Sequence, residues 1–170
     1  MGMRTVATDL LLSGQGAIPR EVARLSPTAY LIAAQRHVRR LAEELTGRVS
    51  IWEAVSQANL AAGGHLVEPE LIVRLAERIV PILHEIDPMI PVSIGFETPI
   101  SQEEVLDPIS LLTRLAIAEV GYDRIGLRIY ENGYDHQGHL QHRRSLSELS
   151  SYLDQFGRFD KPVDILGFAV

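Results

Sequence analysis

The feature that most constrains this chain is a change of hydrophobic period that repeats in one order along its length. Short aliphatic or β-branched runs at Thr5–Leu12, Val49–Val55, Val92–Phe96, Ile125–Tyr130 and Val163–Phe168 read as strands, and longer stretches of helical period separate them. The helices carry local start and stop signals. Ser26 is placed to cap a helix with Pro27 at its first position, an apolar stripe of Tyr30, Leu31, Ala34, Val38, Leu41 and Leu45, and Gly47 as the stop. A second helix runs from near Pro69 toward Asp87-Pro88. Pro81 lies inside it and predicts a kink, because it removes a donor and crowds the carbonyl of Glu77. Asp107-Pro108 opens a third helix toward Gly121. Ser145 with Glu148 forms a capping box for a fourth, carrying Leu146, Leu149, Tyr152, Leu153 and Phe156.

The order β-α-β-α-β-α-β-α-β is that of right-handed crossovers joining parallel strands, which makes the class α/β. Two closures fit. One is an open, doubly wound five-stranded sheet; the other is an arc of a TIM-type (β/α) barrel, whose full length is typically about 250 residues. At 170 residues the chain is expected to be a single domain, and length alone favours the open sheet. That sheet would need a phosphate cradle after its first strand. The turn there reads Ser13-Gly14-Gln15-Gly16-Ala17-Ile18-Pro19, with Pro19 in place of the third glycine and no Lys-Ser/Thr pair following, so it reads as a flexible loop.

Composition removes further classes. With no cysteine there is no disulfide framework, zinc ribbon or thiol chemistry. A net charge of −6 offers no basic field for nucleic acid, and the cluster Arg36, His37, Arg39 and Arg40 falls at helical spacing as a solvated face. The apolar run Val6 to Leu12 is interrupted by Asp9 and is too short for a span of about 20 residues, so no membrane is expected. No signal peptide is evident. His136, His139 and His142 lie at three-residue spacing, but no carboxylate or cysteine completes the set, so no metal and no cofactor are expected. His65 and His84 read as ordinary histidines.

The most informative segment is Gly47-Arg48-Val49-Ser50-Ile51-Trp52-Glu53-Ala54-Val55-Ser56-Gln57-Ala58-Asn59. It resembles the fourth barrel strand of glycoside hydrolase family 10, the endo-1,4-β-xylanases, with pattern G-R-V-x-x-W-D-V-V-N-E-A after a helix bearing a His-Val pair, here His37-Val38. Ile86-Asp87-Pro88, Asp123-Arg124-Ile125-Gly126-Leu127 and Lys161-Pro162-Val163-Asp164-Ile165 follow in register. The resemblance implies the third to seventh strands of a (β/α) barrel, about five consecutive units, so that the chain is a divergent and partial barrel. It also implies a carbohydrate ligand, a β-linked polysaccharide such as xylan. The two sheet edges left open by such an arc would favour self-association.

Carried over residue by residue, the family's acid/base Glu falls on Gln57, the Asn before it on Ser56, and its nucleophile Glu on Gly167. The Asn-Asp pair ending the fifth strand becomes Gly95-Phe96, and the Gln and His of the sixth become Arg128 and Tyr130. Gln transfers no proton at a useful pKa and Gly has no nucleophile, so the resemblance implies a pseudoenzyme-like site with weak or absent hydrolysis. Strand ends at the carboxyl face still carry Asp9, Gln57, Asn59, Arg128 and Tyr130 as candidate ligand contacts. Glu97 and Glu131, on neighbouring strand ends, form a candidate replacement catalytic pair; alternatively Glu97 forms an ion pair with Arg128. Trp52 reads as core, with an indole N–H that needs a partner. Two other readings stay open: a non-catalytic glycan-binding or scaffold protein, and an open-sheet domain for a small ligand or nucleotide.

Overall fold

The computed structural model describes residues 5–8, 10–11, 20–60, 68–98, 106–130 and 144–169. Five strands, β1 (Val6–Ala7), β2 (Ile51–Val55), β3 (Val92–Thr98), β4 (Arg124–Tyr130) and β5 (Val163–Ala169), form one parallel sheet in the order β1-β2-β3-β4-β5. A doubly wound sheet reverses its order at a switch point, and this one does not. Every crossover therefore steps in the same direction and puts its helix on the same side, which curls the sheet into part of a (β/α) barrel. The partial barrel expected from the resemblance is the observed fold, and the open-sheet alternative is set aside on that ground.

The helices are α1 (Arg20–Ala23), α2 (Pro27–Leu45), α3 (Pro69–Ile86), α4 (Pro108–Ile117) and α5 (Leu146–Asp154), the last continuing as a 3₁₀ turn over Gln155–Phe159. Their starts follow the expected chemistry. The Ser26 side chain accepts from the Ala29 N–H, Asp107 accepts from Ile109 and Ser110, and Ser145 with Glu148 makes both bonds of a capping box. Gly47, with φ 76°, follows the end of α2 in the left-handed conformation that lets glycine stop a helix. α3 stays helical through Pro81, which lies on its exposed side. Among the described residues, no helix is long and apolar enough to cross a membrane.

Packing departs from the pattern in three places. On α2 it is Ala42 that is buried, while Leu41 and Leu45 are half-buried. Leu146 is exposed at the first position of α5, so the apolar side of that helix begins at Leu149. Among the described residues β1 registers with β2 at Val6 and Ala7, flanked by the Ser50 N–H on the Thr5 carbonyl at 2.7 Å and the Ser56 N–H on the Leu11 carbonyl at 3.0 Å.

Alternation sorts the strands into two faces. Ile94 and Phe96 of β3 and Ile125, Leu127 and Ile129 of β4 turn outward, and all are buried in the core that α2, α3 and α4 also line. Val163, Ile165 and Phe168 are the register partners of the three β4 residues, yet they are 36%, 49% and 55% exposed. The inner, concave face is polar: Glu53, Ser93, Glu97, Arg124, Arg128 and Asp164 lie on it, with Gly95 and Gly126 between them.

Candidate functional site

The site grows from the carboxyl ends of β2 and β3. Glu53 sits in the middle of β2, a strand buried on both faces, and is itself 0% exposed. A carboxylate in that position needs a cation and further donors to offset lost hydration. Arg128, two strands away on β4, supplies them with a two-pronged fork, Nη1 to Oε1 and Nη2 to Oε2, each 2.7 Å. The Ser56 hydroxyl adds a third bond to Oε2 at 2.8 Å. Gly95 makes this crossing of β3 possible: a Cβ there would lie 1.7 Å from Glu53 Oε1 and 3.1 Å from Arg128 Nη1.

The ion pair expected between Glu97 and Arg128 gives way to this one. Those two residues are register partners on adjacent strands, but the gap above Gly95 lets the guanidinium reach Glu53 instead. The stem of Arg128 also lies in front of Gly167, where a Cβ would meet its Cγ at 3.6 Å. Arg124 and Asp164 form a second inner-face pair, at 2.5 and 2.7 Å.

Beyond Val55 the chain turns sharply. Gln57 adopts φ 53°, a left-handed conformation that costs an L-residue roughly 1–2 kcal/mol. Four hydrogen bonds hold the turn there, two within the backbone and two from the Asn59 side chain. The Ala58 N–H donates to the Gly95 carbonyl at 2.8 Å and the Leu60 N–H to the Gln57 carbonyl at 3.0 Å. Asn59 Nδ2 donates to the Glu97 carbonyl at 2.7 Å, and the Glu97 N–H donates back to Asn59 Oδ1 at 2.8 Å. The Asn59 amide thus extends the β2–β3 ladder as an extra rung, which makes this fully buried side chain a positioning residue.

The turn brings Gln57 and Glu97 together: Gln57 Nε2 donates to Glu97 Oε1. Glu97 is 8% exposed, while Gln57 is half-buried. Thr98 closes the same rim, its hydroxyl donating to the Arg128 carbonyl at 3.3 Å and its own carbonyl accepting from Arg144 at 3.4 Å. Tyr130 ends β4, paired through its backbone with Ala169. Asp9, Glu131, His65, His136, His139, His142 and the Gly14–Gly16 turn lie outside the described residues. Among those described, no three His, Cys, Asp or Glu residues are grouped to hold a metal.

Sequence reasoning missed Glu53, Ser56 and Gly95 as one unit. The available signal was an acid inside Ile51-Trp52-Glu53-Ala54-Val55, since a strand buried on both faces admits a carboxylate only with a partner. Trp52 packs in the core at 0% exposure, and its indole N–H has no partner among the described residues.

At the opposite, amino end of the sheet, Asp123 ties β3 to α3. Its Oδ2 accepts from the Val92 N–H at 2.8 Å and meets His84 Nε2 at 2.9 Å. Burial pushes the Asp123 carboxyl up, but the Val92 amide, the His84 bond and charge, and Lys161 together hold it below the ordinary carboxylate value.

No family model matches the sequence, and no curated protein matches it. Solved structures do. A glycoside hydrolase family 10 protein from Paenibacillus barcinonensis superposes with a TM-score of 0.70 at 14% identity, over 96% of this chain and 50% of that one. A family 10 xylanase from Thermobacillus composti gives 0.64 at 20% identity, over 94% of this chain and 45% of that one. A family 10 endoxylanase from a sugarcane soil metagenome gives 0.65 at 17% identity, over 92% and 45%. At these identities the likeness shows the fold, a xylanase-like barrel. The chain spans about half the length of the structures it matches.

Proposed function

We propose that this chain contributes the ligand face of a xylanase-like barrel that takes a β-linked polysaccharide such as xylan, with hydrolysis by the family's two-carboxylate route weak or absent. The observation that carries this reading is the Gln57–Glu97 pair at the carboxyl ends of adjacent strands. A retaining glycosidase needs two carboxyls about 5–5.5 Å apart, one to protonate the leaving oxygen and one to attack. An amide beside a carboxylate is a different tool. It offers donors and acceptors to sugar hydroxyls, but the amide neither releases nor takes a proton near neutral pH. Gly167, where the resemblance would seat a nucleophile, supports the same reading because it carries no side chain to attack with. Tyr130, which ends β4, and Asp9, which the sequence resemblance offers, are the further proposed contacts.

The test is calorimetric titration of the protein with xylo-oligosaccharides, run beside an assay for reducing sugar released from xylan. Heat of binding with release at background is expected. Gln57→Ala should weaken binding about tenfold, the equivalent of roughly 1.4 kcal/mol and the size of one net hydrogen bond. Release at rates typical of xylanases, lost on Glu97→Gln, would overturn the impaired site in favour of a replacement pair with Glu131. No heat with xylo-, cello- or manno-oligosaccharides would overturn the glycan reading.

A further inference from the structure

We infer that Arg128 and Glu53 act as a positioning pair that fixes the Gln57 amide against Glu97, working through Ser56 and without touching a ligand themselves. The relay is continuous. The Arg128 fork fixes both oxygens of Glu53, leaving the carboxylate no rotation about its last bond. Oε2 then holds the Ser56 hydroxyl, three residues along the chain and immediately before Gln57. The Ser56 N–H is fixed separately, donating to the Leu11 carbonyl at 3.0 Å. With both its amide and its hydroxyl tied, Ser56 sets the direction in which the left-handed turn at Gln57 begins.

The far side of the turn is fixed by Ala58 on Gly95 and by Asn59 on Glu97. Gln57 is therefore held from both flanks, and the first flank depends on the ion pair. A buried pair that served stability alone could be replaced by apolar residues of similar volume with little change at Gln57. A positioning pair could not.

The test reads Gln57 directly. In the folded protein the side-chain amide of Gln57 should give a dispersed pair of proton–nitrogen resonances, reflecting its bond to Glu97. The double variant Glu53→Leu/Arg128→Leu removes the pair without leaving a buried charge, and Ser56→Ala removes only the relay hydroxyl and keeps the fold if the double variant does not. The expected result in either folded variant is that the Gln57 resonances move toward those of a free glutamine side chain. Resonances unchanged in a folded variant would overturn the inference.

The inference rests on the glycan reading only for its consequence in binding, so the two fail separately. If the Gln57 signal moves and affinity for xylo-oligosaccharides falls about tenfold, both stand. If the signal moves in a protein that binds no glycan, the positioning role stands and the glycan reading falls.

Discussion

Replacing Gly95 by alanine is the sharpest perturbation this structure offers, because a single methyl group collides with the most deeply buried charge. The new Cβ would lie 1.7 Å from Glu53 Oε1 and 2.7 Å from Glu53 Cδ, far inside any contact distance. Glu53 is 0% exposed and the Arg128 side chain is 13% exposed, so the carboxylate has no solvent to retreat into. It must leave the fork, giving up two bonds of 2.7 Å and the Ser56 bond of 2.8 Å. Breaking a buried pair in this way costs about 3–5 kcal/mol. At about 2–4 °C per kcal/mol for a chain of this size, the melting temperature should fall by about 6–20 °C.

Gly126→Ala is the internal control. Gly126 is the register partner of Gly95 on the next strand, but its Cβ would meet the terminal Cδ1 of Leu166 at 2.6 Å, the end of a side chain that can change rotamer. Its cost should be about 1 kcal/mol, at the low end of overpacking. Urea unfolding followed by circular dichroism measures both. The Glu53→Leu/Arg128→Leu background completes the cycle: with the pair gone, Gly95→Ala should lose most of its cost. A Gly95→Ala variant no less stable than Gly126→Ala, or one whose full cost survives in that background, would refute the reasoning.

Two further outcomes follow from the end of the sheet and the helix starts. Asp123 has a depressed carboxyl value in the folded state, so its stabilisation is present above the unfolded carboxylate value and is lost as pH falls through the folded one. Asp123→Asn should flatten the acid limb of a plot of urea midpoint against pH, and an unchanged limb would show that other carboxylates set it. Asp107→Ala removes the cap that accepts from Ile109 and Ser110 at the start of α4 and should cost about 0.5–2 kcal/mol in urea unfolding; no change in midpoint would mean that Pro108 alone suffices to start the helix.

What was legible in the sequence was whatever local chemistry decides. Ser26, Asp107 and Ser145 cap because a side-chain oxygen one step before a helix satisfies orphan N–H groups wherever the chain goes next. β3, β4 and β5 lie within a residue or two of their apolar runs because a parallel strand must be apolar on its helix-facing side. β1 was harder: its run extends to Leu12, but ladder length depends on how far a neighbour runs alongside, and among the described residues register with β2 is kept at Val6 and Ala7, with the Leu11 carbonyl meeting the chain again at Ser56. The same limit hid the inner face. Alternation says that Glu53, Gly95 and Arg128 share a side of the sheet, but not that one acid reaches past a whole strand to a base 75 residues away in the chain.

That reach changes how the departures from the xylanase pattern are understood. In the sequence resemblance, Glu53 falls where the xylanase pattern has Asp, Gly95 where it has Asn and Arg128 where it has Gln, and along the chain these look like three unrelated differences. In the fold they are one contact. An arginine on the concave face in place of a neutral amide brings a charge that needs an acid within reach. A glutamate is one methylene longer than an aspartate, and a strand residue with any side chain would occupy the space its carboxylate takes. The three residues work as a unit, because a buried charge on this face that lost its partner would cost several kcal/mol. The charges of this concave face are therefore matched from within, with Gln57 and Glu97 paired beside them at its carboxyl rim.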